Sequence, residues 1–371
     1  MPWTDGIDGE TGCRRGRIAT VVFAGAAEAN ARVAGVAAAA RIVRALAEAG
    51  FAEARLEFRG GGALDAAAAA DVERLAGPLC VQTAPAVSEA EGLRLDGAWL
   101  VPAAALAGKA TTGASGALRL AAPSAAAEIL RGTGKASDGP VSRSLNRPIS
   151  RWISARLLRL EWIRPVHATA GTALLALLMV AALLAGGEAG LLAGALLFHA
   201  ASVFDGVDGE IARATFRTSK AGALLDSLID EATNLLFVLG VTINLGLAGA
   251  RLAVFLGLWG LGLFACGLAV IAWRAARSAG PFSFDLVKHH YRRRCTGAAP
   301  ARLMRFLTIV TCRDFYALLF LVLILIGRPM AVLLIFAAAA TIWILFVLAA
   351  LAAPASARPR ARGSPLRRVQ S

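Results

Sequence analysis

Hydrophobic positions fall into two regimes along this chain. Over residues 1–137 apolar residues come in short runs broken by charge, and no run approaches the ~20 residues that a spanning helix needs. Within that stretch Ile18–Phe23 reads as a buried strand. Val36–Ala49 reads as a helix with Ile42, Val43 and Leu46 on one side and Gly50 at its end. Arg55–Phe58, Leu79–Gln82 and Ala98–Val101 read as further strands. Strands alternating with helices predict a parallel sheet. From about residue 167 the pattern changes to six long apolar stretches, at about 167–186, 190–212, 220–246, 252–275, 308–326 and 330–352. The predicted architecture is a polytopic α-helical membrane domain of six transmembrane helices, preceded by a small α/β cytoplasmic domain.

The two regimes meet in a stretch of mixed character. Ile149, Trp152, Ile153, Leu157 and Leu160 recur at helical spacing with arginines between them. This predicts a basic amphipathic helix lying in the membrane interface, with a soluble interdomain helix as the alternative. The expected division is therefore an α/β domain at 1–137, an interfacial helix and linker at 138–164, a membrane domain at 165–353 and a basic disordered tail at 354–371.

Composition sharpens this picture. The chain is 57% hydrophobic yet carries a net charge of +14. Its basic residues form no aromatic-interleaved patch, so nucleic acid is not an expected partner; membrane lipids are. The positive charge lies in alternate loops: Arg213, Arg217 and Lys220 in one, Arg274 to Arg305 in another, and Arg358 to Arg368 in the tail. The intervening loops are nearly free of it. The positive-inside rule then places both termini and the 213–220 loop on the cytoplasmic side of the inner membrane. No secretory signal is read ahead of the first domain. Cys13, Cys80, Cys266, Cys295 and Cys312 show no close pairing and read as unpaired thiols. His289-His290, in a basic loop, reads as solvated or lipid-facing.

The candidate chemistry lies between Asp205 and Asp230. Asp205 and Asp208 are three residues apart and Asp205 and Gly209 four apart, so they share one helix face, which Ala212 and Arg213 continue. Gly222, Asp226 and Asp230 form a stripe on a second helix. Carboxylates at membrane depth are costly and mark function. Two helices joined by a short turn can face these stripes together. The result is an oxygen cluster suited to a hard cation, Mg²⁺ or Mn²⁺. Glycine and alanine on the same faces admit a bulky ligand close to the backbone.

This pattern resembles the CDP-alcohol phosphatidyltransferase family. Asp205, Asp208, Gly209, Ala212, Arg213, Gly222, Asp226 and Asp230 occupy every fixed position of that family's signature. The resemblance implies metal ligands at Asp205, Asp208, Asp226 and Asp230, with Asp230 also the general base. It implies a CDP site formed by Asp205, Gly209, Ala212, Arg213, Gly222 and Thr169. The family opens its first span with Thr-Pro-Asn-x-x-Thr; Pro165 and Thr169 match, while Arg164 and Val166 depart. Arg305 and Arg313 are candidate acceptor contacts, with membrane anchoring as their alternative. The implied partners are a CDP-alcohol donor, CDP-diacylglycerol or CDP-inositol, and a polyol or polyol-phosphate acceptor. A homodimer is also expected.

The pieces Asp138-Gly-x-Val-Ser-Arg and Asn146-Arg-x-Ile-Ser are similar to the junction in bifunctional inositol-phosphate cytidylyltransferase / di-myo-inositol-phosphate phosphate synthases. There a nucleotidyltransferase domain precedes the membrane part. The corresponding loop here, Gly25 to Arg32, has one glycine and an acidic Glu28. It lacks the glycine-rich, basic cradle that a triphosphate needs. The first domain is expected to be a degenerate nucleotidyltransferase, inactive on CTP and dispensable for phosphotransfer. Two other classes stay open: a catalytically inactive membrane scaffold, and an ion-coupled transporter, although no internal repeat is visible.

Overall fold

The computed structural model describes residues 16–84, 92–108, 116–135, 138–277 and 312–352. The chain divides into two compact units. One contains Met1–Leu174 and Ala200–Asp230, the other Leu175–His199 and Glu231–Ser371.

The first unit begins with β1 (Ile18–Phe23) and a short α1 (Ala26–Asn30), then a hairpin of β2 (Arg32–Val33) and β3 (Val36–Ala37). There follow α2 (Ala38–Glu48), β4 (Glu53–Phe58), α3 (Ala66–Ala76), β5 (Cys80–Ala84) and β6 (Leu93–Asp96). β7 (Trp99–Leu100), α4 (Ala103–Ala107), β8 (Leu118–Arg119) and α5 (Ala125–Gly132) complete the domain. The main sheet has the order β5-β4-β1-β6 and is parallel throughout, in register from Ile18 opposite Glu53 to Phe23 opposite Phe58. Strands covered on both faces read as apolar runs, which is why β1 is plain in the sequence. Phe23, Ile42, Leu46 and Leu56 are its most buried large side chains.

Two elements escape the hydropathy pattern. β6 is an edge strand that alternates Leu93-Arg-Leu-Asp96, so only half of its residues are apolar. Ala98–Val101, expected as a sheet strand, supplies instead the two-residue β7, paired antiparallel with β8 outside the main sheet. α3 is mostly alanine, so its buried stripe of Ala68, Val72, Leu75 and Ala76 stands out little in the sequence; its start is set by Asp65, whose carboxylate accepts from the Ala68 N–H at 2.7 Å.

A π-helical turn, Ser142–Asn146, leads into α6 (Arg147–Leu157). α6 is buried on its polar side, at Arg147, Ser150 and Ser154, while Ile149 and Trp152 are exposed. Next come α7 (Pro165–Leu184), α8 (Gly187–Ala214), α9 (Lys220–Leu247) and α10 (Arg251–Arg277), then α11 (Arg313–Leu325) and α12 (Pro329–Ala352). Five of these helices are long and apolar enough to cross a membrane: α7, α8, α9, α10 and α12. α11 has 13 residues, and residues 308–311 of the expected fifth stretch lie outside the described part.

In the first unit a second buried cluster joins Ala34 of the hairpin, Leu130 of α5, Leu158 and Ile163 after α6, Ala168 of α7, and Val207, Ile211 and Ala214 of α8. The small domain is thereby packed onto the end of α8. In the second unit Phe198, Phe237 and Phe320 stack in series, with ring centroids 4.1 and 6.1 Å apart. Asn244 donates to the Leu183 carbonyl at 2.8 Å, which satisfies the end of α7. α10 and α12 meet through glycines: Gly260 lies against Phe336 and Gly267 against Trp343.

The cysteine expectation needs one correction. Cys80 is disulfide-bonded, whereas Cys266 is a free thiol. Spacing alone could not reveal this, because Cys80 has no cysteine near it in sequence. Cys13 and Cys295 lie outside the described residues, as do His289 and His290.

Candidate active site

α8 and α9 carry the four aspartates within the first unit. The helical spacing works as expected: Asp205, Asp226 and Asp230 each offer a carboxylate oxygen, and these three oxygens lie within 4.8 Å of one another. Asp208 stands beside them, with its carboxylate in contact with that of Asp226. It is only 6% exposed, and the Thr169 hydroxyl donates to it at 2.9 Å. Like charges at such separations repel strongly away from bulk water. The donor set is all carboxylate oxygen, the chemistry that a hard divalent cation takes. The residues therefore fit a bound divalent metal. Thr169, expected at the CDP site, is placed on the carboxylate cluster itself.

The end of α8 is built with care. The Arg217 N–H donates to the Ala212 carbonyl at 2.8 Å and the Phe216 N–H to Arg213 at 3.3 Å. This is a Schellman termination, in which the left-handed residue is normally glycine. Here it is Phe216, at φ 56°. The guanidinium groups of Arg41 and Arg44 lie 5.6 and 5.8 Å from its ring, favourable contacts that oppose the strain. Two further carbonyls at this end are capped from the small domain: Arg41 donates to Ala214 at 2.8 Å and Arg74 to Thr215 at 3.1 Å. Arg41 also donates to Val33 and Ala34. Burial pushes its guanidinium down to about 9, with Asp71 pulling the other way, so it stays protonated at neutral pH.

Two glycines permit close approach. A Cβ on Gly35, at φ +80°, would meet Leu158 at 2.8 Å and Thr215 at 3.2 Å, so the hairpin tip sits directly on them. A Cβ on Gly209 would meet the Arg213 guanidinium at 2.9 Å. Gly209 is thus the platform on which Arg213 lies while its Nε donates to the Thr133 carbonyl at 2.7 Å. Gly222 is exposed near the start of α9, its N–H donating to Ser219 Oγ at 3.0 Å. Ala212 is half-buried on α8.

Sequence reasoning missed Glu210. It is fully buried, and it accepts from Ser150 and Ser154 hydroxyls at 2.7 Å each and from Arg147 at 3.0 Å. Arg147 also forms a two-pronged pair with Asp138, at 2.9 Å on both prongs. Burial works against the Asp138 carboxylate, but the Arg147 bonds and charge and the Lys135 N–H outweigh it and hold it below the usual carboxylate range. The same partners hold Arg147 above its ordinary value despite burial. A signal for this network existed: Asp138, Arg147 and Ser150 all lie in the two junction pieces that carry the narrower resemblance.

Other expected residues fall elsewhere. Arg313 opens α11 in the second unit, where its charge faces Glu231. Arg305 lies outside the described residues. In the small domain, the loop after β1 is closed by its own acid: the Glu28 carboxylate accepts from the Ala24 N–H at 2.8 Å. A carboxylate of the chain thus occupies a backbone donor of the kind a phosphate would use.

Two of the long apolar helices, α8 and α9, thus carry an all-oxygen carboxylate cluster. A sequence profile described as CDP-alcohol phosphatidyltransferase matches residues 162–352, more than half of the chain. The chain belongs to the CDP-alcohol phosphatidyltransferase family. It is also similar to proteins named "Bifunctional IPC transferase and DIPP synthase". The one from Thermococcus kodakarensis is 42% identical over 102 residues, 28% of this chain and 22% of that protein. The one from Aquifex aeolicus is 40% identical over 108 residues, 29% of this chain and 24% of that protein. The one from Rubrobacter xylanophilus is 36% identical over 157 residues, 42% of this chain and 34% of that protein. The matches thus span about a fifth to a third of the length of these relatives.

Proposed function

We propose that this chain is a Mg²⁺- or Mn²⁺-dependent enzyme that moves a substituted phosphoryl group from a CDP-alcohol to a hydroxyl of a polyol or polyol phosphate, releasing CMP. The observation that carries this reading is the gathering of Asp205, Asp226 and Asp230 oxygens within 4.8 Å, inside a complete family signature. A divalent cation bound there would neutralise charge building on the pyrophosphate oxygens. Asp205, Asp208 and Asp226 hold the site, and Thr169 fixes the rotamer of Asp208. Asp230 takes the proton of the acceptor hydroxyl. The acceptor oxygen bonds to the phosphorus as the bond from that phosphorus to the bridging oxygen of CMP breaks. Gly209, Ala212 and Gly222 leave room for the cytidine, and Arg213 steadies the turn that ends α8. Arg305 and Arg313 are the cationic residues that suit an anionic acceptor.

The junction pieces at Asp138 and Asn146, similar to those of di-myo-inositol-phosphate phosphate synthases, favour an inositol-phosphate acceptor and CDP-inositol as donor over CDP-diacylglycerol. The closed Glu28 loop supports a first domain, 1–137, without cytidylyltransferase activity. Exposed Ile149 and Trp152 on α6 support an interfacial helix that faces lipid. Loop charge supports six spans in the cytoplasmic membrane, with termini and site on the cytoplasmic side, and we place the chain there as a homodimer. CMP release from CDP-inositol and CDP-diacylglycerol, with and without chelator, across a panel of polyols and polyol phosphates, tests the reading. No chelator-sensitive CMP release from any pairing would overturn it.

A further inference from the structure

Beside the end of α8 lies a cavity of about 410 Å³, lined chiefly by Arg44, Arg74, Arg213, Phe216 and Arg217. It belongs wholly to the first unit, with two arginines from the small domain and two from the end of α8 and the turn that follows it. No carboxylate lines it. The acids that touch its arginines stand outside: Glu48 pairs with Arg44 at 2.7 Å, and Asp71 with Arg74 at 2.8 Å while also serving Arg32. Arg213 has Asp138, Glu210 and Asp208 as more distant opposite charges, but Asp138 and Glu210 are already bonded to Arg147.

The decisive observation concerns donors. Nη2 of Arg213 and Nε of Arg217 are buried and have no hydrogen-bond partner among the described residues. A charged N–H left without an acceptor is unfavourable, and native proteins rarely tolerate one unless something else supplies the acceptor. Burial, then the charges of Arg164 and Arg74, hold the Arg217 guanidinium below its ordinary value, with Asp71 opposing. That is the electrostatic state of a site short of negative charge.

We propose that this cavity, whose lining includes none of the four aspartates, binds a phosphate monoester. A phosphate monoester brings up to two negative charges and three acceptor oxygens, which suits converging guanidinium forks better than a carboxylate does. The volume lies in the range of small-ligand pockets and holds a phosphorylated polyol or a lipid headgroup, without acyl chains. A ligand there would bridge Arg44 and Arg74 of the small domain to Arg213 and Arg217, and so tighten that domain on the end of α8.

The test uses the full chain in phosphatidylcholine nanodiscs with EDTA, so that no divalent cation holds phosphate at the aspartates and phosphotransfer is silent. Binding of inorganic phosphate is titrated calorimetrically. Saturable binding is expected, weakened at least ~10-fold by Arg44→Gln with Arg217→Gln, about one strong charged contact. Arg159→Gln, an exposed arginine outside the cavity lining, should leave it unchanged. Should the double variant fail to fold, Arg217→Lys keeps the charge, loses the fork, and is expected to weaken binding likewise. Phosphatidic acid added to the nanodisc distinguishes the sources: competition assigns the site to a lipid headgroup, and its absence to a soluble phosphate. No saturable binding, or equal affinity in wild type and a folded Arg44/Arg217 variant, would overturn the proposal.

Discussion

Asp208 and Glu210 are two residues apart on α8, so they point to different sides of one helix, and their surroundings differ completely. Glu210 faces donors from the chain: Ser150, Ser154 and Arg147 surround it, and it is fully buried. Asp208 faces other acids, in contact with Asp226 and beside the cluster of Asp205, Asp226 and Asp230. One carboxylate is neutralised from within and serves the fold. The other group of carboxylates is concentrated in a way that only a function explains. Burial of an acid is therefore a poor guide to catalysis; what it is buried against decides.

The sharpest way to break this contrast is at the cluster. Asp226→Asn should lower CMP release by at least ~10²-fold, because losing a metal ligand costs no less than losing a group that merely supports one. The protein should stay in the membrane fraction, and near-normal release would remove Asp226 from the site. Asp230→Asn should cut turnover by ~10²–10⁴-fold, the usual worth of a general base, with much less effect on donor binding. Equal loss of donor binding in a direct titration would make Asp230 mainly a ligand.

On the opposite face the expected losses are of stability. Glu210→Leu alone should destabilise by ~1–3 kcal/mol, since it leaves the buried Ser150 and Ser154 hydroxyls and one prong of Arg147 without an acceptor. Replacing both, with Arg147→Met, should cost more still, because the Asp138 carboxylate then loses its two-pronged partner. Unfolding in detergent followed by circular dichroism reads both, and a Glu210→Leu variant as stable as wild type would refute the structural role. Arg41→Met should cost ~1–3 kcal/mol by leaving carbonyls of Val33, Ala34 and Ala214 unsatisfied. Limited proteolysis should then release the small domain faster. Unchanged release would show that Arg41 does not hold the small domain on the end of α8.

The smallest effect concerns pH. Asp138 has a depressed folded pKa, so its contribution is present above the unfolded carboxylate value of ~3.9 and is lost as pH falls through the lower folded value. Unfolding midpoints between about pH 2 and 6 should decline more steeply in wild type than in Asp138→Asn. Parallel profiles would show that the Asp138–Arg147 pair adds nothing to stability.

Residue spacing alone determined the signature from Asp205 to Asp230, the strand Ile18–Phe23, the amphipathic α6 and the long apolar helices. Each depends on periodicity within one element, and periodicity is written locally. The edge strand β6 and alanine-rich α3 were not legible, because neither has an apolar face distinct enough to stand out. Only the tertiary structure decided how charge is balanced. Arg147 meets Glu210 across 63 positions of sequence, and Arg41 reaches the Ala214 carbonyl across 173. No spacing rule reports such pairs, since neutralising a buried charge depends on which distant groups the fold brings within hydrogen-bonding range.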